Sequence, residues 1–96
     1  MEGEKIPFIC RMMSDEEFDV MDELYFVQPF SYLTETLAME TEQLKQVLRS
    51  LLQKGYIKCF FNMNDEVFEE QLNFESDFEN YHYLASKKGL LAHNGR

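Results

Sequence analysis

Residues 41–57 constrain the fold of this chain more than any other stretch. Leu44, Val47, Leu48, Leu51 and Leu52 fall there at the spacing i, i+3, i+4, i+7, i+8. That spacing draws one unbroken apolar stripe down an α-helix and leaves the opposite face polar. Gly55 follows the last stripe residue, where a left-handed backbone ends helices. An apolar run, residues 56–61, comes next and reads as a strand. A chain with this segment at its centre must bury the stripe against other elements, and 96 residues suffice for one small core.

The flanks supply those elements. Ser14 followed by Asp15, Glu16 and Glu17 is a capping box. It predicts a helix running to about Phe26, with Phe18, Met21, Leu24 and Tyr25 inward and Pro29 ending it. Ser31 is the expected N-cap of a second helix over 32–38 that buries Leu33 and Leu37. Met39 and Glu40 form the turn. Thr41, or Glu40 if the boundary slips by one, caps the third helix. Residues 62–79 carry apolar side chains with neither helical nor strand period, which predicts an enlarged loop with some local structure. Residues 81–84 read as a returning strand, and Ser86 caps a last short helix over 87–92, weakened by Gly89. The fold class expected is mainly α with a small antiparallel β-hairpin, in a single domain over 1–96. Residues 1–13 form an N-terminal arm in which 6–13 is a short strand or lead-in helix.

Charge divides the chain unevenly. The net charge is −9, yet Lys45, Arg49, Lys54 and Lys58 face only Glu42 between residues 41 and 61. Residues 62–79 hold seven acids and no base. The start has no basic n-region, and no apolar stretch reaches the ~20 residues that span a bilayer. A cytoplasmic location follows as the expectation, with no membrane partner. Cys10 and Cys59 lack a Cys-x-x-Cys spacing and read as reduced thiols, buried or half-buried.

Helix, turn, helix, glycine and strand over residues 14–92 resemble the winged helix-turn-helix transcription regulators. Leu33, Leu37, Leu44, Leu48 and Leu51 take the family's buried positions. Lys54-Gly55-Tyr56-Ile57 resembles its usual helix end. Tyr83-Leu84-Ala85-Ser86-Lys87-Lys88-Gly89 is similar to the family's Tyr-x-Leu-Thr-x-x-Gly, with Ser86 for the capping Thr and Ala85 for a buried Leu. Thr34 stands where Ala is common and Ala38 where Gly often makes the turn. The resemblance implies a three-helix core plus a wing, here an enlarged acidic wing over 62–79.

Two functions compete on this basis. The resemblance implies that helix 41–54 binds duplex DNA as a dimer, with Gln43, Gln46 and Arg49 at bases or nearby phosphates and Lys45, Lys54 and Lys58 on phosphates. Seven wing acids oppose that unless the wing points away. The alternative is a protein–protein interaction module that has lost DNA binding. It would use Phe68 and Phe74 of the wing, or the apolar N-terminal segment with Ile9 and Met13, which is also the expected homodimer seam. Catalysis has no support: His82 and His93 lack partners in any motif, and there is no nucleophile or phosphate loop. Asp65, Glu66, Glu69 and Glu70 lack the glycine and alternating oxygens of a calcium loop. No metal and no cofactor is expected.

Overall fold

The computed structural model describes residues 13–94. Among them are five α-helices and one four-stranded antiparallel sheet. The expected arm over 1–13, with Ile9 and Cys10, lies outside the described residues except for Met13, which is buried in the core.

Helix α1, Asp15–Asp22, begins with the capping box the sequence predicts: Glu17 N–H donates to Ser14 Oγ at 3.1 Å and Ser14 N–H to Glu17 Oε1 at 2.8 Å. It is shorter than expected. Glu23 N–H bonds to Val20 O and Leu24 N–H to Met21 O, which tightens the last turn. Leu24 O then accepts from Ala85 N–H at 2.9 Å, drawing the chain toward the sheet instead of onward along the helix axis. Val20, Met21 and Leu24 are buried, whereas Tyr25, expected inward, is exposed. Strand β1, Gln28–Pro29, follows.

Helix α2, Phe30–Leu37, starts two residues before the position Ser31 predicts. Pro29 holds the N-cap site at φ −74° and no side chain caps the helix. Burial of Phe30 outweighs the missing cap. Ala38 ends α2 in the left-handed region at φ 54°, the conformation that glycine would adopt with less strain. Helix α3, Thr41–Gln53, has Glu40 at its N-cap. Leu44, Val47, Leu48 and Leu51 are buried, as the stripe requires, and Leu52 is half-buried. At its end Tyr56 N–H bonds to Leu51 O and Gly55 N–H to Leu52 O, a Schellman motif with Gly55 at φ 76°.

Strand β2, Ile57–Phe60, pairs with β3, Glu66–Val67, and with β4, His82–Ala85. The sheet order is β1-β4-β2-β3. Asn62 builds the hairpin tip, its Oδ1 accepting from the N–H groups of Asn64 and Asp65. Between β3 and β4 lie a 3-10 turn, Glu69–Gln71, and the one-turn helix α4, Phe74–Asp77. Two buried tyrosines pin this excursion. Tyr81 Oη accepts from Asn73 N–H at 2.9 Å, and Tyr83 Oη donates to Phe78 O at 2.7 Å. Burial pushes the Tyr83 phenol up, so it stays a donor. Phe74 and Phe78 pack against the core, Phe78 edge-on to Phe30 at 5.4 Å.

Helix α5, Lys87–Asn94, outlasts its expected end by two residues. Ser86 Oγ accepts from Gly89 N–H and donates to Gly55 O, tying the start of α5 to the end of α3. Gly89 is not a weak point but a close approach: a Cβ there would strike the Tyr56 carbonyl. Helix α1 packs on α2, α3 and α5, with the sheet closing the core from the other side.

Candidate functional site

The outward face of α3 carries the side chains that DNA recognition would need, and the chain's own carboxylates already hold most of them. Arg49 Nε and Nη2 donate to the two oxygens of Glu75 at 2.9 and 2.8 Å, a bidentate pair. Lys45 Nζ lies 3.1 Å from Glu75 Oε1 and 4.8 Å from the centre of the Phe78 ring. Glu75 sits on α4, so the excursion between β3 and β4 folds back over α3. Its carboxyl is held below the usual range, first by the hydrogen bond from Arg49 and then by that from Lys45. Gln43 Nε2 donates to Glu16 and Gln46 Nε2 to Glu42, each at 2.7 Å, and Arg49 Nη1 donates to Gln46 Oε1 at 2.7 Å.

Lys54, at the end of α3, is engaged more deeply. Its Nζ lies 2.8 and 3.1 Å from the oxygens of Glu17, whose residue is only 4% exposed. Ser50 Oγ donates to the same carboxylate at 2.6 Å. Burial alone would push the Glu17 carboxyl up. The hydrogen bonds from Lys54, Ser50 and Ser14 N–H, with the Lys54 charge, outweigh burial and hold it below its ordinary value. Lys58, the last of the six side chains singled out for DNA, lies on β2 and is exposed, as are Gln43 and Gln46.

The residues singled out for a protein partner separate. Phe68 is 57% exposed beside β3, whereas Phe74 and Met13 are in the core. Two side chains not singled out join Phe68 at the surface: Phe61 at 46% and Met63 at 60% exposure. Alternation gave no signal for Phe61: it falls on the same side as buried Cys59, and it is exposed because it lies past the end of β2. Glu75 and Glu17 carried no signal, since only the folded chain brings them to α3.

His93, one residue past the expected end of α5, is anchored. Its Nε2 lies 2.6 Å from Asp22 Oδ1, its Nδ1 3.2 Å from Tyr25 Oη, and its ring 5.2 Å from that of Phe18. His82 is half-buried, and its cross-strand neighbours Phe60 and Pro29 offer no side-chain proton partner. Among the described residues no cluster of three His, Cys, Asp or Glu is arranged to hold a metal, and no helix is long and apolar enough to cross a membrane. Comparison with protein-family models, curated proteins and solved structures gives no match.

Proposed function

We propose that this chain is a non-enzymatic winged-helix module that binds a protein partner rather than duplex DNA. The element order supports the winged-helix reading: α1-β1-α2-α3-β2, then a returning strand, β4, that lies between β1 and β2. One observation carries the choice of partner, the Glu75 carboxylate seated on Arg49 and Lys45. Affinity for duplex DNA rests on cations meeting phosphates. Here a phosphate would have to displace Glu75 from Arg49 and Lys45, and Glu17 from Lys54. The surface that remains around the hairpin is acidic and aromatic, which suits a protein.

A low-salt titration with mixed-sequence duplex DNA tests this. The native chain should not bind, although electrostatic attraction is strongest there. Glu75→Gln should show weak, salt-sensitive binding that a further Arg49→Ala change abolishes. Salt-dependent binding by the native chain, lost in Arg49→Ala, refutes the protein-partner reading and restores DNA.

A further inference from the structure

Strand β3 covers only half of β2. Cys59 and Phe60 pair with Val67 and Glu66, while among the described residues Ile57 and Lys58 have no strand on that side. Ladder parity decides which backbone groups are left over. Phe61 N–H donates to Asp65 O on the β3 side, and Tyr56 O accepts from Ser86 N–H on the β4 side. Alternation therefore points the N–H and C=O of Ile57 toward the β3 edge, where no backbone group among the described residues pairs with them. The chain turns away after Val67 into the 3-10 turn, and Leu72 returns to pack on the core.

The result is a notch of about 270 Å³ on the sheet edge. Leu52 of α3 and Leu72 form its walls, Ile57 and Val67 its floor, and Phe68 and Glu66 part of its rim. A second recess, lined by Phe61, Asp65, Glu66 and Phe68 among others, opens on the far side of the Phe68 ring. Glu66 and Phe68 line both, so the two are adjacent.

We propose that this edge receives a short extended segment of a partner protein in which basic residues alternate with aliphatic ones. The proposal rests on the protein-partner reading above. The aliphatic side chain fills the Leu52–Leu72 notch, and the strand pairs with the N–H and C=O of Ile57. The basic side chain enters the recess between Phe61 and Phe68, beside Glu66 and Asp65. Charge selects this occupant: among the described residues Lys58 is the single cation lining the notch, against Glu66 and Glu69, which belong to a segment, 62–79, that holds seven acids and no base. Aromatic faces favour a cation, and an open strand edge favours an extended chain over a helix. Exposure agrees, because Phe61, Met63 and Phe68 place three large apolar side chains on one hairpin.

The test screens the full chain against an array of synthetic heptapeptides that vary in basic, acidic and aliphatic content. Binders should alternate arginine or lysine with leucine, isoleucine or valine. Binding of such a peptide should fall by about tenfold or more in Phe68→Ala and in Glu66→Lys, as for the central residues of other interfaces. Phe68 is exposed and Glu66 half-buried on β3, and unchanged denaturation midpoints verify the fold. The Ile57 amide should slow its hydrogen exchange when the peptide is bound. An array with no binders, a preference for acidic peptides, or binding indifferent to both substitutions overturns the inference. Peptide binding that responds instead to changes on α3 also overturns it, but leaves the protein-partner reading standing. DNA binding by the native chain brings down that broader reading separately.

Discussion

Replacing Lys54 by Met should destabilise the protein in a way that depends on pH, and the sign follows from the burial of Glu17. The substitution keeps the aliphatic stem and removes the ammonium that lies 2.8 Å from a carboxylate whose residue is 4% exposed. Hydrogen bonds to charged groups contribute ~1.5–3 kcal/mol. Breaking a fully buried pair costs ~3–5 kcal/mol. The Lys54 side chain is 35% exposed, so solvent screens part of the attraction, and the lower figure applies. Glu17 also keeps its bonds from Ser50 and Ser14 N–H. We expect a loss of about 2 kcal/mol near neutral pH, which for a domain of this size lowers Tm by roughly 8–16 °C.

In the native chain the Glu17 carboxyl is depressed. It therefore adds stability above the unfolded value of ~4.3, and that stability is lost as pH falls through the folded value. In Lys54→Met, burial is no longer outweighed and the folded value rises. The penalty is then full above the folded value and relieved as pH falls toward the unfolded one. The gap between native and variant proteins should thus be widest near pH 7, narrow toward the unfolded value, and close only as pH falls through the depressed native value. Urea denaturation of both proteins across that range, followed by tyrosine fluorescence or circular dichroism, measures the gap, with equal m-values as the check on two-state behaviour. In a Glu17→Gln background the same Lys54 change should cost far less. A gap that stays constant with pH, or a loss below ~0.5 kcal/mol at neutral pH, refutes the reasoning.

Gly89→Ala should reach or exceed the top of the ~1–3 kcal/mol range for overpacking, because its Cβ meets the Tyr56 carbonyl, and Met21 Cε lies 2.9 Å away. That carbonyl is fixed by Ser86 N–H, so a Tm close to that of the native chain would show that the α5–β2 approach is looser than described. Burial pushes the Cys59 thiol up to about 12, which leaves almost no thiolate near neutrality. In a Cys10→Ala chain, a neutral alkylating reagent should label the urea-denatured protein quickly and leave the folded protein unmodified by mass spectrometry. Labelling at similar rates in both would contradict the burial.

The parts of the fold legible in the sequence are those set by local chemistry. The capping box at Ser14 and Glu17, the leucine stripe of α3 and the glycine stop at Gly55 each act within a few residues, and each forms as expected. Boundaries that depend on distant partners were not legible. Helix α1 stops early because Leu24 O has a partner on β4, and α2 starts early because Phe30 has a core to enter. The excursion between β3 and β4 lacked period for the same reason. Its order comes from Tyr81, Tyr83 and the Phe30–Phe78 contact, all of them long-range or dependent on β4 being in place.

The candidate site shows why charge counted along a chain misleads. Residues 41–61 are a basic block and 62–79 an acidic one, so along the sequence they look like a cationic surface flanked by a repelling loop. In space the acidic block supplies the counter-ion: α4 is a single turn whose burial of Phe74 sets Glu75 against Arg49 and Lys45. Two such exposed pairs stabilise little, ~0–1 kcal/mol each in typical measurements, so they do not account for the fold. Their effect lies in what the α3 face presents outward. With its fork filled by a carboxylate, Arg49 would have to exchange Glu75 for a phosphate or guanine before it could read either. The same excursion that closes this face leaves Phe61 and Phe68 open at the other end of the hairpin. Under the reading proposed above, the segment between β3 and β4 leaves the sheet edge as the more open surface, and the proposed partner would meet Glu66 and Glu69 rather than Arg49.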